Sequence, residues 1–168
     1  MYQNLRKKLE EASPLYYEEE ILRLLDHIGH PEATIRDELV FSSLARGLQA
    51  DLFSVEQFRL LAQEAVKRQG LFYKSDENGQ ATLTRSFTAL LYANLLNCDG
   101  NPNSSYYQAL SVQERTYLLD KGLTYLSVER DTKGYSRKYG WVHAFAHGAD
   151  LLTEVACHPD FPSSRMPE

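Results

Sequence analysis

Residues 21–48 read ILRLLDHIGHPEATIRDELVFSSLARGL, and this stretch decides the class of fold. Apolar residues recur three and four positions apart on both sides of the corner formed by Gly29, His30 and Pro31, and this period predicts two amphipathic helices. Because the residue before a proline avoids the helical region, the corner separates the two helices. This stretch has the order of a HEAT-type repeat: a helix, a proline corner, an apolar–arginine pair and a second amphipathic helix. The pattern is clear only once in this chain.

Helical signals continue through the remaining sequence. Ser13 and Pro14 read as a helix start, with serine as the cap. Two capping boxes, Ser54-x-x-Gln57 and Ser111-x-x-Glu114, open further helices. The predicted helices cover approximately residues 2–11, 13–29, 32–48, 54–70, 82–97, 111–128 and 140–157. The prediction is therefore an all-α fold of about seven helices, an α/α superhelix of the HEAT or armadillo type, with a single domain over residues 1–160 and a loose tail over 161–168.

Composition and charge limit the class of protein. The chain has 168 residues, of which 43% are hydrophobic and 24% charged, as expected for one globular domain. Its net charge of −5 opposes non-specific binding to nucleic acid or to an anionic membrane. Only Cys98 and Cys157 occur, without a CxxC motif, which favours a reducing compartment. We therefore expect a cytoplasmic protein with neither a nucleic-acid nor a membrane partner.

The last predicted helix carries the pattern with the most chemical content, GWVHAFAHGADLLTEVACH over residues 140–158. If this helix begins at Gly140, a turn of about 100° per residue places His143, His147, Asp150 and Glu154 on one stripe. The rest of the helix is almost entirely apolar. Histidines at positions i and i+4 can share a metal ion, and an aspartate at i+7 can add an oxygen ligand.

Three interpretations of this stripe remain open. His143, His147 and Asp150 are candidate metal ligands, with Glu154 or a loop carboxylate as the base of a metal-assisted hydrolase. The same side chains could bind a ligand without a metal, or form a buried polar network that stabilises neighbouring helix ends. The glutamate that follows the first histidine in the common zinc-protease helix is missing.

The charged loop before this helix, over residues 129–139, has two interpretations. It could cover the stripe as a lid or clamp an anion with Lys133, Arg137 and Lys138. The alternative is a solvated connector between two helices.

Two arginines lie beside the apolar stripes of their own helices, Arg36 and Arg85. Arg85 lies near a helix start, where the helix dipole does not favour a positive charge, so it needs a partner. Glu129, Asp131 and Asp150 are the candidates for that partner. The alternative to a ligand site is a structural ion pair between helices.

Four stretches resemble an uncharacterised bacterial family, one of the domains of unknown function. They are IRDEL at 35–39, RSFTALL at 85–91, ERDTKGY at 129–135 and GWVHAFAHGADLL at 140–152. The last is the most specific, and the four lie within residues 20–160. Lys133 stands where the family usually has arginine, which weakens a bidentate clamp at that position. The resemblance implies an α/α superhelix akin to HEAT or armadillo repeats and implies no activity.

The expected function is that of a binding or scaffold module for a protein or peptide, because helical solenoids commonly present a concave binding surface. A metal-dependent hydrolase is the alternative. No cofactor is expected apart from a divalent metal ion at the stripe, and a homodimer is compatible with a solenoid that ends early. The candidate ligand or polar-network site comprises His143, His147, Asp150, Glu154, Arg85, Glu129, Asp131, Tyr135, Trp141 and Arg36.

Overall fold

Helices account for nearly all regular structure in the computed structural model, which describes residues 2–165. The seven helices are α1 (Tyr2–Glu10), α2 (Glu18–Asp26), α3 (33–49), α4 (Val55–Arg68), α5 (Gln80–Gly100), α6 (Val112–Val128) and α7 (Ala144–Cys157). The strands in this part of the chain are β1 (Tyr135–Ser136) and β2 (Gly140–Trp141), which pair antiparallel. The prediction of an all-α fold is confirmed, and the superhelical arrangement stays a prediction. No helix within residues 2–165 is long and apolar enough to cross a membrane.

Local capping sets the starts of α4 and α6 where the sequence predicts them. The hydroxyl of Ser54 accepts a hydrogen bond from the Gln57 amide at 3.1 Å, and the Gln57 side chain accepts one from the Ser54 amide at 2.9 Å. Ser111 and Glu114 repeat this arrangement at 3.2 and 2.9 Å. Each box satisfies two backbone N–H groups that the helix itself leaves unpaired.

The predicted start of α2 at Ser13 is wrong, because the helix begins at Glu18. Glu20 accepts a hydrogen bond from the Tyr17 amide at 2.9 Å and so caps the helix at a later point. The buried Lys8 donates to the Leu15 carbonyl and to Glu20, both at 2.6 Å. These contacts with α1 keep the segment before Glu18 out of the helix.

One helix departs from regular α geometry. α3 consists of an α-helical turn (Ala33–Ile35), a π-helical segment (Arg36–Phe41) and a second α-helical segment (Ser42–Gln49). A π-helical segment contains one extra residue per turn and therefore changes the direction of the side chains beside it; such segments are frequent at functional sites. Arg36 and Asp37 occupy its first two positions.

The long helix α5 forms the centre of the fold. Fifteen of its 21 residues are buried. It packs against α3 on one side and α7 on the other, whereas α2, α4 and α6 contact one another in that order. Polar side chains of α5 that remain accessible, such as Asn94 and Asn97, therefore lie between α3 and α7.

The chain after α7 is described as far as residue 165. Ser163–Arg165 forms a 3₁₀ turn, and Arg165 forms an ion pair with Asp120 of α6. Residues 166–168 of the predicted loose tail lie outside the described part of the chain. The tail and the domain boundary at residue 160 stay predictions.

A buried ion pair connects α5 to the segment that follows α6. Arg85 donates to both carboxylate oxygens of Glu129, at 2.7 and 3.0 Å, and both side chains are almost completely buried. The remaining N–H groups of Arg85 bind the carbonyls of Tyr73, Lys74 and Glu77 and the hydroxyl of Thr82. Because the planar guanidinium is satisfied on all its edges, Arg85 ties three segments of the chain together.

Arg85→Lys should lower the free energy of unfolding by about 3 kcal/mol, because an ammonium group cannot reproduce the two parallel hydrogen bonds and leaves Glu129 under-satisfied in the interior. Urea unfolding followed by circular dichroism measures the change. Arg68→Lys is the matched control: Arg68 pairs with the exposed Asp26, and its replacement should cost less than about 0.5 kcal/mol. Equal losses in the two variants would contradict the structural role of Arg85.

Candidate functional site

α7 begins at Ala144 rather than at Gly140, so the predicted start of this helix is wrong. His143 is the N-cap residue and adopts a left-handed backbone conformation with φ = 51°. β2 ends two residues earlier, at Trp141, and the amides of Val142 and His143 donate to the Gly134 carbonyl at 2.8 and 3.3 Å. His143 is therefore not on the helical stripe that the sequence predicts, although Asp150 and Glu154 are.

Arg36 keeps this segment out of the helix. Its guanidinium is fully buried and donates to the carbonyls of Tyr139 and Trp141 at 2.8 and 3.1 Å. It also donates to the His30 carbonyl at 2.9 Å, and its Nε lies 2.8 Å from the carboxylate of Asp37. The predicted site residue Arg36 thus holds the β ribbon against the corner between α2 and α3.

His147 belongs to a directed chain of hydrogen bonds. Its Nδ1 lies 2.9 Å from the hydroxyl of Ser86, which donates its single proton to the Val142 carbonyl at 2.5 Å. Nδ1 must therefore carry the proton that it donates to Ser86. Burial, with a contribution from the neighbouring His143, lowers the pKa of His147 to about 4. The imidazole is neutral at pH 7, and Nε2 is its acceptor atom.

This geometry does not support the hydrolase alternative. Ser86 is fully buried and gives its proton to Val142, so it is not a nucleophile activated by His147. His147 donates its Nδ1 proton to Ser86, which leaves Nε2 free as an acceptor, whereas His143 lies outside the helix. Within residues 2–165, no three His, Cys, Asp or Glu side chains are grouped so that they could hold a metal ion. The metal-ligand role predicted for His143, His147 and Asp150 stays a prediction.

Arg85, Glu129 and Asp131 form a separate, internal network. Asp131 accepts hydrogen bonds from the Thr82 hydroxyl at 2.7 Å and from the Gly79 and Lys133 amides at 3.2 and 3.1 Å. Although burial opposes it, the hydrogen bonds from Arg85 and from backbone amides hold the pKa of Glu129 below its usual value. Arg85 pairs with Glu129, one of its three candidate partners. The arrangement matches the structural ion pair that was the alternative to a ligand site for these residues.

A continuous strip of side chains runs from the ribbon along α7. The Trp141 indole stacks on the His143 imidazole at 4.6 Å and 10°, and the His143 and His147 rings are 5.7 Å apart. Asp150 and Glu154 follow on the next two turns of α7. We call these five residues the polar strip. Tyr135 packs edge-to-face against Trp141 with 5.0 Å between ring centroids.

The C-terminal half of the polar strip lines an open groove of about 300 Å³ between α3, α5 and α7. Asn97 donates to the Glu154 carboxylate at 3.1 Å, and Gln49 donates to the Asn94 carbonyl oxygen at 3.0 Å. Within the described part of the chain, neither Asp150 nor Glu154 forms an ion pair. The groove residues are Gln49, Leu90, Ala93, Asn94, Asn97, Asp150, Thr153 and Glu154. We refer to this cavity as the α3–α5–α7 groove.

Sequence reasoning missed the amides of this groove and the carboxylate of Asp37. Asn94 and Asn97 stand three residues apart in the otherwise apolar run LLYANLLNC, so a polar spot on one face of α5 was detectable. Gln49 and Asp37 gave no such indication, because only the packing of α3 on α5 brings them to this side. Burial raises the pKa of Asp37 even though Arg36 lies beside it.

A second cavity lies on a different part of the surface. It has a volume of about 420 Å³ and lies between the corner after α2, the end of α4 and the first half of α5. His27, His30, Thr84 and Thr88 are among its lining residues. Its charged residues are already paired, since Arg68 lies 2.5 Å from Asp26. The α3–α5–α7 groove differs in that its carboxylates are not neutralised by a cation.

The fold and the groove define a class: an all-α domain with a polar, negatively charged groove between three of its helices. The chain belongs to the family described as a protein of unknown function (DUF2785), whose model matches residues 71–167. This match contains three of the four motif stretches, and IRDEL at 35–39 lies outside it. Neither a curated protein nor a solved structure matches the chain.

The lowered pKa of His147 predicts a dependence of stability on pH. Between about pH 6.5, the ordinary value, and pH 4, the unfolded chain binds a proton at this residue that the folded protein does not. The free energy of unfolding should therefore fall as the pH decreases through this interval, by at most about 1.4 kcal/mol per pH unit.

Urea unfolding at pH 7.5, 6.5, 5.5 and 5.0 tests this dependence, with His147→Gln removing the titrating group. The slope between pH 6.5 and 5.0 should become smaller in this variant. Gln63→Asn, which changes an exposed residue of α4 and removes no titrating group, should keep the wild-type slope. An unchanged slope in His147→Gln would show that another group carries the pH dependence.

Proposed function

We propose that the chain is a binding module that holds an extended, positively charged segment of a protein partner in the α3–α5–α7 groove. One observation carries the proposal. Asp150 and Glu154 line a groove together with three amide side chains, and no lysine, arginine or histidine is among its lining residues. Two carboxylates without a counter-charge favour a cationic partner.

The remaining groove residues suit a peptide chain. Asn94, Asn97 and Gln49 each donate one hydrogen bond within the protein, to Leu90, Glu154 and Asn94. Each amide keeps a second N–H and a free acceptor lone pair, which match the C=O and N–H groups of an extended backbone. Leu90 and Ala93 provide apolar surface for the aliphatic parts of lysine or arginine side chains. The ammonium or guanidinium groups of those side chains would then meet Asp150 and Glu154.

The rigidity of the groove supports a binding role. Its floor is α5, which is buried on most of its surface, and its walls are two helices packed directly on α5. A preformed surface loses little conformational entropy when a partner binds.

Fluorescence anisotropy with defined peptides tests the proposal. The probe is a labelled six-residue peptide in which lysines are spaced by alanine and serine, short enough to lie along the groove alone, and its counterpart has glutamate in place of lysine. In the double variant Asp150→Asn, Glu154→Gln, the dissociation constant for the lysine peptide should rise about tenfold, because both groove carboxylates lose their charge.

The matched control is Glu18→Gln, Glu19→Gln, which changes the net charge equally at two exposed positions of α2. This control should change the dissociation constant less than twofold. Equal weakening in the two double variants would assign the binding to net charge and overturn the proposal. Equally tight binding of the glutamate peptide would also overturn it.

A further inference from the structure

The segment before α7 carries a charge opposite to that of the groove. Arg130, Lys133, Arg137 and Lys138 are all exposed, and none of them forms an ion pair within residues 2–165. The carboxylates that begin this segment in sequence, Glu129 and Asp131, are buried and bonded internally. Residues 130–141, which we call the basic hairpin, therefore present four exposed positive charges and one buried carboxylate, Asp131, on a protein with a net charge of −5.

The basic hairpin is held in one conformation. Tyr135 and Ser136 pair with Trp141 and Gly140. Gly140 adopts φ = 74°, which favours glycine, and a Cβ at this position would lie 3.0 Å from Ala33. Together with the hydrogen bonds from Arg36, this pairing presents the cations on a fixed frame, whereas a flexible connector would have to be ordered on binding.

Two aromatic side chains on the hairpin are exposed, and one of them begins the polar strip that leads to the groove. Tyr135 is 57% and Trp141 54% exposed. Trp141 is also the first residue of the polar strip, which continues through His143 and His147 to Asp150 and Glu154. One continuous surface thus runs from an electropositive hairpin, past an aromatic pair, into an electronegative groove. Aromatic residues are favoured in the contact surfaces of protein partners.

We infer that the partner segment is bipolar, with basic residues in the α3–α5–α7 groove and acidic residues on the basic hairpin. This inference rests on the proposed function and specifies the charge pattern of the partner. A uniformly basic segment long enough to reach both regions would be repelled by the hairpin cations. A polyanion such as single-stranded nucleic acid would be repelled by Asp150 and Glu154. Only a segment with two halves of opposite charge is attracted along the whole surface.

The length of the surface sets the length of the segment. α7 has 14 residues and therefore extends about 21 Å at about 1.5 Å per residue. An extended chain covers this distance with about six residues at about 3.3 Å each. A comparable number would reach across the hairpin, so the segment has about 12 residues.

Three labelled 12-residue peptides of identical composition test the inference by fluorescence anisotropy. One has a lysine block followed by a glutamate block, the second has the reverse order, and the third alternates lysine and glutamate. The variant is Lys133→Gln, Arg137→Gln, Lys138→Gln. The control, Lys7→Gln, Lys67→Gln, Lys121→Gln, removes three exposed lysines elsewhere.

One of the two block peptides should bind at least about tenfold more tightly than the alternating peptide, and the preferred order defines the direction of the bound chain. The hairpin variant should lose this preference and the control should keep it. Equal binding of block and alternating peptides, or an unchanged preference in the hairpin variant, overturns the bipolar inference. Tighter binding of oligouridine than of either block peptide overturns it in favour of nucleic acid.

The lysine peptide keeps the two proposals separable. Suppose that the affinity for the lysine peptide depends on Asp150 and Glu154, while the order of the blocks has no effect on the affinity for the block peptides. The groove proposal then stands and the bipolar inference fails. If the lysine peptide binds the Asp150→Asn, Glu154→Gln variant as tightly as the wild type, both fail.

Discussion

The buried guanidinium of Arg36 is the constraint on which the candidate site depends. A charged group in the interior must have its N–H groups satisfied, and Arg36 finds its acceptors in carbonyls from two distant parts of the chain, at His30 and at Tyr139 and Trp141. These bonds are possible only if residues 139–141 leave the helical path. The β ribbon, the late start of α7 and the left-handed conformation of His143 follow from that requirement.

The position of His143 in turn determines what the site can do. In a helix that began at Gly140, the two histidines would lie one turn apart on a single face, in a geometry suited to a metal ion. As the N-cap residue, His143 instead stacks with Trp141, and His147 uses its Nδ1 for Ser86. The imidazoles thereby become part of a surface that joins the ribbon to α7. The carboxylates farther along α7 have no cationic side chain among the residues that line the groove with them, and this supports the proposed binding of a cationic partner.

The two charged regions have different structural origins. Within residues 2–165, the hairpin cations have no acidic partner because Glu129 and Asp131 face the interior. There these two carboxylates bind Arg85, Thr82 and backbone amides. In the same part of the chain, the groove carboxylates have no positively charged partner because the polar side chains that face them from α5 and α3 are neutral amides. Both charged regions result from the same constraint. Buried polar groups must be hydrogen-bonded, and the charges that are not used in the interior face solvent. The separation of charge along one surface is thus a consequence of how the interior is satisfied.

The sequence by itself determined the features that depend on neighbouring residues: the helical class, the capping boxes at Ser54 and Ser111, and the polar character of Asp150 and Glu154 on an apolar helix. It also indicated that Arg85 needs an acidic partner, because an arginine near a helix start is unfavourable alone. Only the tertiary structure decided which carboxylate that partner is, where α7 begins, and that Gln49, Asn94 and Asn97 meet Asp150 and Glu154 in one groove. These features depend on contacts between residues about 40 to 105 positions apart, and periodicity within one segment carries no information about them. A single buried arginine that binds distant carbonyls overrides the local preference for helix, because leaving its charge unpaired in the interior costs more than beginning a helix one turn later.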